Sequence, residues 1–166
     1  NTGREMPETL DFVQECADRW NVQIIWLEYI KPKPKFEIVS HNSASRNGKP
    51  FEQLINTKSN YLPNQAQRYC TQELKVLTIK RYLVSLGWKQ WTNTVGIRAD
   101  ESRRVKPSKD KRWQNWFPLN NAQVAVQDVN QFWKEQTFDL LVMKGGGNCD
   151  GCFLKSEATL AAMWRE

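Results

Sequence analysis

The length of 166 residues, with 40% hydrophobic and 25% charged residues, predicts one soluble globular domain over residues 1–166. No apolar run approaches the ~18 residues of a membrane span, which excludes a membrane protein and favours a cytoplasmic location. The net charge of +6 favours an anionic partner, either a nucleotide or a nucleic acid. Four cysteines without a secretion signal favour a metal or redox site over a disulfide framework.

The first half of the chain alternates helical and extended patterns. Pro7 suits a first helical position, and apolar residues recur at helical spacing as far as Trp20, which predicts a helix between these two residues. The continuous apolar run Val22–Leu27 predicts a buried strand. A proline-rich loop follows, then a short strand at Phe36–Val39 and at best a short helix over 51–58. Helices that alternate with such strands indicate an open, mostly parallel α/β sheet with helices on both faces.

The second half continues this alternation. A helix over Gln72–Leu86 is predicted to end at Gly87, a typical C-terminal cap. The remaining predicted elements are a strand at Trp91–Ile97, a helix at Asp128–Gln136, an apolar run at Phe138–Met143, and a helix at Glu157–Trp164 capped by Ser156.

A basic loop follows the predicted strand at Trp91–Ile97. Seven of the fifteen residues from Arg98 to Arg112 are Lys or Arg. Loops that leave the carboxyl ends of strands bind ligands in open α/β sheets, and arginine holds phosphate or sulfate oxygens two at a time. Arg98, at the strand end, is therefore a candidate anion ligand, whereas 106–111 has the composition of a solvated charge run.

Two cysteines form a C-x-x-C motif, Cys149 and Cys152, with glycines on both sides. This spacing lets both thiolates bind one metal or cluster, or lets them form a redox pair. Cys70 lies at the N-terminal end of a predicted helix, where the helix dipole favours a thiolate and hence a metal ligand. Cys16 lies beside the apolar stripe of the first helix, where a packing role is expected.

Five segments match one family in order and spacing over nearly the whole chain. They are Asn1-Thr2-Gly3-Arg4-Glu5 with Pro7-Glu8-Thr9; Tyr69-Cys70 with Leu74-Lys75; Gly96-Ile97-Arg98-Ala99-Asp100-Glu101-Ser102; Phe117-Pro118-Leu119 with Asp128-Val129; and Asn148-Cys149-Asp150-Gly151-Cys152. In these segments the chain resembles the phosphoadenosine phosphosulfate (PAPS) reductase family, which has a PP-loop, adenine nucleotide α-hydrolase-like fold. The resemblance implies an open, doubly wound sheet and an adenine nucleotide, ATP or PAPS, as ligand.

The resemblance also implies the site residues. The matched nucleotide-binding positions are Thr2, Gly3, Glu5, Arg98, Glu101, Ser102 and Arg103. The matched cluster ligands are Cys70, Cys149 and Cys152, which predicts a 4Fe-4S cluster held by three thiolates. The resemblance implies a PAPS-reductase-like oxidoreductase or sulfurtransferase, with a thiol or ferredoxin-type electron donor if it is a reductase.

Three departures from the family pattern qualify this expectation. The family's S-G-G-K-D-S loop and the strand before it precede the N-T-G segment and do not occur in the sequence. Tyr69-Cys70 stands where cluster-containing members have two cysteines, and the family's C-terminal nucleophilic cysteine has no counterpart. We therefore expect sulfur transfer, through a cluster iron that has no cysteine ligand, rather than sulfonucleotide reduction.

Two alternatives remain open at this stage. The first keeps the enzyme class and makes nucleic acid the substrate, bound by the basic loop and exposed tryptophans. The second is a non-enzymatic nucleotide- or nucleic-acid-binding module stapled by zinc through Cys70, Cys149, Cys152 and the only histidine, His41.

Overall fold

The structure, a computed structural model, describes residues 1–142, 147 and 149–164. It is a mixed α/β fold whose chain forms two compact units. Unit 1 comprises Asn1–Ser85 and Leu140–Glu166, and unit 2 comprises Leu86–Asp139. None of the described helices is long and apolar enough to cross a membrane.

Unit 1 begins with helix α1, Pro7–Trp20, which has the predicted bounds. Pro7 occupies the first helical turn, where its missing N–H costs no hydrogen bond. Asn21 ends the helix in the left-handed conformation, with φ of 50°. Leu10 and Ala17 of the predicted apolar stripe are buried, but Trp20 is 46% exposed, so the helical spacing identified the packing face only as far as Ala17.

Two short strands follow in unit 1, β1 (Trp26–Glu28) and β2 (Glu37–Val39). They pair antiparallel, with Leu27 opposite Ile38. The strand predicted from Val22 onward therefore begins only at Trp26, because the residues before it have no pairing partner among the described residues.

The core of unit 1 is formed by Tyr29, Leu54 and Leu74. Leu54 lies on helix α2, Lys49–Asn56, and Leu74 lies on a π-helical segment, Thr71–Leu77. This segment continues directly into helix α3, Thr78–Ser85, so the predicted helix is present but its first half has π geometry. The buried Thr78 hydroxyl donates a hydrogen bond to the carbonyl of Glu73, five residues earlier, which fits the wider turn.

The C-terminal part of unit 1 carries helix α6, Glu157–Met163, capped as predicted by Ser156, which accepts a hydrogen bond from the Thr159 N–H. The apolar run that precedes the glycine loop forms no strand in its described part, 138–142, and Met143 lies outside the described residues.

Unit 2 contains a parallel pair of strands, β3 (Trp91–Thr94) and β4 (Trp113–Trp116). Its helical elements are a 3₁₀ segment at Ala99–Arg104, α4 at Pro118–Asn121 and α5 at Val126–Lys134. Trp91 lies opposite Trp113, and their rings stack with centroids 5.4 Å apart. β4 and α4 have no counterpart among the predicted elements because each is only four residues long.

Candidate functional site

Four side chains from distant parts of unit 1 meet beside the N-terminal segment: Thr2, Glu5, Lys75 and Cys149, here called the Thr2 cluster. Thr2 is only 2% exposed, and both its N–H and its hydroxyl donate to Glu5 Oε2, at 2.8 and 2.7 Å. Cys149 Sγ lies 3.5 Å from Thr2 Oγ1. Because the Thr2 hydroxyl proton is already directed at the carboxylate, the Cys149 thiol is the donor in this contact.

Main-chain contacts hold Cys149 in this position. Glu5 and Cys149 form an antiparallel β-bridge, and the Asp150 N–H donates to the Arg4 carbonyl at 2.8 Å. Arg4 and Asp150 also form an ion pair at 3.1 Å. The C-x-x-C motif is thus aligned with the N-T-G-x-E segment. Three residues of the glycine-rich stretch before the motif lie outside the described residues: Gly145, Gly146 and Asn148.

Glu5 is the anionic member of the cluster. Burial alone would raise its pKa, but the two hydrogen bonds from Thr2 and the nearby Lys75 outweigh burial and hold the pKa of Glu5 below its ordinary value. Lys75 Nζ lies 3.4 Å from Glu5 Oε1. Glu5 is therefore a carboxylate at neutral pH and compensates the Lys75 charge.

Cys149 is held as a thiol. Burial raises its pKa above the ordinary value, and the negative charge of Glu5 acts in the same direction, while the hydrogen bond with Thr2 and the nearby Lys75 oppose this shift without reversing it. The thiol form agrees with its donor role toward Thr2. Any reaction of the Cys149 sulfur as a nucleophile must therefore begin with removal of this proton.

Gly3 shapes the backbone of the site. Its φ is +76°, and a Cβ at this position would lie 2.8 Å from Ser45 Oγ and 2.9 Å from Pro50 Cδ. Its carbonyl accepts the Gly48 N–H at 2.7 Å, which ties the N-terminal segment to the start of α2. Only glycine combines this conformation with this close approach.

Of the three predicted metal ligands, Cys149 and Cys152 share one turn, and Cys70 lies against the core of unit 1. Cys149 contacts Thr2, Cys152 follows in a turn closed by its N–H to the Cys149 carbonyl at 3.2 Å, and Cys70 packs against the Tyr29 core. All three are free thiols. No group of three or more His, Cys, Asp or Glu in the described part of the chain is arranged to hold a metal ion. The described residues thus do not fit an iron–sulfur cluster or zinc, both of which stay predictions, and no chemical step is derived through either.

Unit 2 carries the other predicted nucleotide ligands. The Arg98 guanidinium donates to both carboxylate oxygens of Asp100, at 3.0 and 2.9 Å, and lies 3.4 Å from Glu101. Asp100 also accepts the Val126 N–H at the start of α5, at 3.1 Å. The hydrogen bond from Arg98 holds the pKa of Asp100 below its ordinary value. An anion that reached Arg98 would therefore have to displace two carboxylates.

The rest of this loop is also internally bonded. Glu101 pairs with Arg104, and this hydrogen bond lowers the pKa of Glu101. The Ser102 hydroxyl donates to the Ala99 carbonyl at 2.6 Å and accepts from Asn120 Nδ2 at 2.7 Å. Arg103 is exposed. The nucleotide-binding roles predicted for Arg98, Glu101, Ser102 and Arg103 stay predictions.

Two groups have contacts that the sequence did not indicate. Lys75 was named only within one segment of the resemblance, and it lies 3.4 Å from Glu5. His41 was named as a zinc ligand in one alternative; its Nε2 lies 2.8 Å from Asp11 Oδ1, and its ring packs 5.8 Å from that of Trp26. His41 and Trp26 line a groove of about 680 Å³ along α1 and β1, and no sequence pattern links them.

The chain was compared with known proteins. It is 29% identical over 165 residues to an uncharacterized nin region protein, ORF290, of Escherichia phage lambda. The match covers 94% of this chain and 55% of the relative, so the chain spans about half the length of the curated relative. No protein-family profile matches the chain, and no solved structure matches it. The function is therefore inferred from the chemistry of the Thr2 cluster and from the resemblance.

Proposed function

We propose that this chain is a PAPS-reductase-like enzyme of the cytoplasm that binds an adenine nucleotide and reduces a sulfonucleotide through the thiols of Cys149 and Cys152. The observation that carries this proposal is the 3.5 Å contact between Thr2 Oγ1 and Cys149 Sγ, residues 147 positions apart in sequence. The contact supports the resemblance because it joins two of the segments from which the resemblance was inferred.

The proposed fold is an open, mostly parallel, doubly wound sheet, whereas the described strands form two separate pairs, β1–β2 antiparallel and β3–β4 parallel. The parallel pairing of β3 with β4 supports the proposed sheet, because parallel strands require a crossover connection of the kind found in α/β sheets. The chain leaves β3 after Thr94 and enters the Arg98 loop, as expected for a ligand-binding loop at the carboxyl end of a strand.

The hydrogen bonds of the Thr2 cluster provide a path for the thiol proton. Cys149 donates to the Thr2 hydroxyl, which donates to the Glu5 carboxylate. Moving one proton along each bond leaves a thiolate at Cys149 and a protonated Glu5. This transfer is uphill in the resting site, because the pKa of Cys149 is raised and that of Glu5 is lowered, so it proceeds only together with attack of the sulfur on the substrate. In this proposal Glu5 is the general base and Thr2 the relay, an arrangement that activates a nucleophile beside a positioned base.

The proposed reaction uses two thiols as the source of two electrons. The Cys149 thiolate attacks the sulfur of the substrate's sulfate group, and the bond from that sulfur to the phosphate oxygen breaks. The adenine nucleotide leaves, and Cys149 carries a sulfonate. The Cys152 thiol then loses its proton and attacks the Cys149 sulfur, which forms a disulfide and releases sulfite with the electron pair of the broken bond. An external thiol donor reduces the disulfide by exchange.

The scheme uses neither the iron–sulfur cluster nor the zinc ion that was predicted from the sequence. No step passes through an iron–sulfur cluster, because the described residues assemble no set of three ligands. Sulfur transfer to a nucleic acid, and a zinc-stapled binding module, stay alternatives predicted from the sequence.

The test is a single-turnover reaction of the reduced protein with PAPS, in which released sulfite and the mass of each cysteine peptide are measured. The intact protein should release sulfite and form the Cys149–Cys152 disulfide. Cys152→Ser should retain one sulfonate on Cys149 and release little sulfite. Cys149→Ser should do neither, whereas Cys16→Ser, a matched control on α1, should behave like the intact protein.

Two outcomes would contradict the proposal. Sulfite release by Cys149→Ser at the rate of the intact protein would exclude Cys149 as the nucleophile. Metal analysis of the same samples tests the route: a brown protein with broad absorbance near ~400 nm, whose activity disappears on iron chelation, would assign the chemistry to a cluster instead.

A further inference from the structure

A cavity of about 720 Å³ in unit 1 lies beside the pair of strands β1 and β2. Its lining includes Glu28 of β1, Glu37 of β2 and part of the loop that leads into α2. A volume of this size is typical of sites for small organic ligands. The cavity is distinct from the Thr2 cluster, because no member of that cluster lines it.

Two carboxylates reach this cavity from adjacent strands. Glu28 and Glu37 are direct partners in the antiparallel register, so their side chains leave the same face of the pair. The Cβ atoms of such partners lie about 4.5–5.5 Å apart, and like charges in these positions destabilise the pairing. The cost of this repulsion falls when a positive group binds between or beside the two carboxylates.

Glu28 is only partly hydrogen-bonded although it is 3% exposed. Its Oε1 accepts from Asn1 Nδ2 at 2.5 Å and from the Ser45 N–H at 2.6 Å, whereas the amino group of Asn1 donates to the Leu27 carbonyl at 2.7 Å. Oε2 of Glu28 accepts no hydrogen bond from the described residues, and it is not among their side-chain atoms that are sealed from solvent without a partner. This oxygen is therefore reached from the cavity that Glu28 lines, where it favours a ligand that donates a hydrogen bond.

No side-chain cation among the described residues is paired with these carboxylates. The Glu37 side chain has neither a hydrogen bond nor an ion pair within the described ranges. Arg46 lines the cavity, but its guanidinium donates to two backbone carbonyls and pairs with Asp11. Lys49 lines it as well and forms no described ion pair with either glutamate. The carboxylate pair thus lacks both donors and positive charge.

We propose that this cavity binds a small organic molecule through a protonated amino group held by Glu28 and Glu37. An ammonium group supplies three N–H donors and a positive charge, which are the two properties that the carboxylate pair lacks. A calcium ion, which takes about six to eight oxygen ligands, fits less well, because no third His, Cys, Asp or Glu among the described residues joins these two carboxylates. The inference does not depend on the sulfonucleotide chemistry proposed for the Thr2 cluster.

The test uses putrescine, a linear diamine, as the probe and follows the Ser45 amide signal by two-dimensional nitrogen–proton NMR. This amide donates to Glu28 Oε1, so its chemical shift should change when the other oxygen of the same carboxylate gains a ligand. The diol of the same chain length, 1,4-butanediol, has no charge and should leave the signal in place.

Glu37→Gln is the main variant, because the Glu37 side chain has no hydrogen bond among the described residues that the replacement would break. It should weaken putrescine binding about tenfold or more, the scale of one hydrogen bond between charged groups. Glu52→Gln is the matched control, since it removes the same charge from an exposed position of α2 outside the cavity and should leave the affinity unchanged. Lys49→Gln should strengthen binding, because it removes a competing ammonium group. Unchanged circular dichroism would establish that each variant is folded.

Three results would overturn the inference. Equal shifts of the Ser45 signal with putrescine and with 1,4-butanediol would remove the role of the positive charge. Equal affinity of Glu37→Gln and the intact protein for putrescine would show that the carboxylate pair does not hold the amino group. Displacement of putrescine by Mg²⁺, with tighter binding of the metal than of the amine, would assign the two carboxylates to a divalent cation instead.

Discussion

Thr2 contacts three residues of unit 1, Glu5, Cys149 and Arg4, through its hydroxyl and its own N–H. Its hydroxyl donates to Glu5, accepts from Cys149 and also lies 3.3 Å from the Arg4 N–H. A buried carboxylate is stable only when its oxygens have donors, and Thr2 supplies two of them. The low pKa of Glu5 therefore depends on this threonine, which also provides the polar contact of the Cys149 sulfur.

Thr2→Val should lower the free energy of unfolding by about 1–3 kcal/mol, because it removes the hydroxyl donor and leaves the Glu5 carboxylate with the Thr2 N–H as its remaining donor from this residue. It should also raise the pKa of Glu5, measured by NMR titration of the carboxyl carbon. Thr2→Ser keeps the hydroxyl and is the control, with a smaller loss in urea unfolding at neutral pH. An unchanged pKa of Glu5 in Thr2→Val would contradict the assigned hydrogen bond.

At the level of elements, helix α1 and the short strand β2 were predicted to within one residue, whereas β4 was missed. Helix α1 has the predicted bounds because Pro7 and Asn21 both mark its ends. No sequence pattern predicted the π-helical geometry of Thr71–Leu77, in which Leu74 is buried. β4 was missed because four residues, two of them tryptophan, give no recognisable alternation.

Gly3 and Gly87 offer a comparison of two turns with similar backbones. Their φ angles are +76° and +84°, but a Cβ on Gly87 would meet no atom within 4 Å. Gly87→Ala should therefore cost only the left-handed conformation, about 1–2 kcal/mol. Gly3→Ala should cost about 1–3 kcal/mol more, because its Cβ overlaps Ser45 and Pro50. Urea unfolding of both variants measures the difference, and equal losses would contradict the close packing around Gly3.

At the level of the whole molecule, the candidate site shows what a sequence can and cannot indicate. The C-x-x-C motif and the N-T-G-x-E segment were identified from sequence, but their direct contact depends on the β-bridge between Glu5 and Cys149. Arg98, the residue expected to bind an anion, pairs with Asp100, two residues away. A count of charges in the sequence does not indicate which opposite charges will pair. The motifs thus indicate which chemical groups are present, whereas the fold decides which of them contact each other.

The pKa shifts predict how stability depends on pH. Glu5, Asp100 and Glu101 have lowered pKa values, so the stability they contribute is present above the ordinary carboxyl pKa and is lost as the pH falls below about 4. Cys149 has a raised pKa, so its contribution is present below the ordinary thiol pKa and is lost as the pH rises above about 8.5. The urea midpoint should therefore fall below about pH 4 and again above about pH 8.5.

Two variants test the limbs of this profile separately. Glu5→Gln should flatten part of the acid limb, and Cys149→Ser should flatten part of the alkaline limb, since neither replacement titrates in these ranges. An alkaline limb identical in Cys149→Ser and the intact protein would show that this thiol has the same pKa in the folded and unfolded states.

The stacked rings of Trp91 and Trp113 have an optical consequence. Two indoles with centroids 5.4 Å apart and planes inclined by 18° are close enough for their electronic transitions to couple. Such coupling gives a paired positive and negative band in ultraviolet circular dichroism, which disappears when the rings separate. The pair joins β3 to β4, so the signal reports on the integrity of this sheet alone. Unit 2 thus contains an intrinsic, label-free reporter of its own folded state.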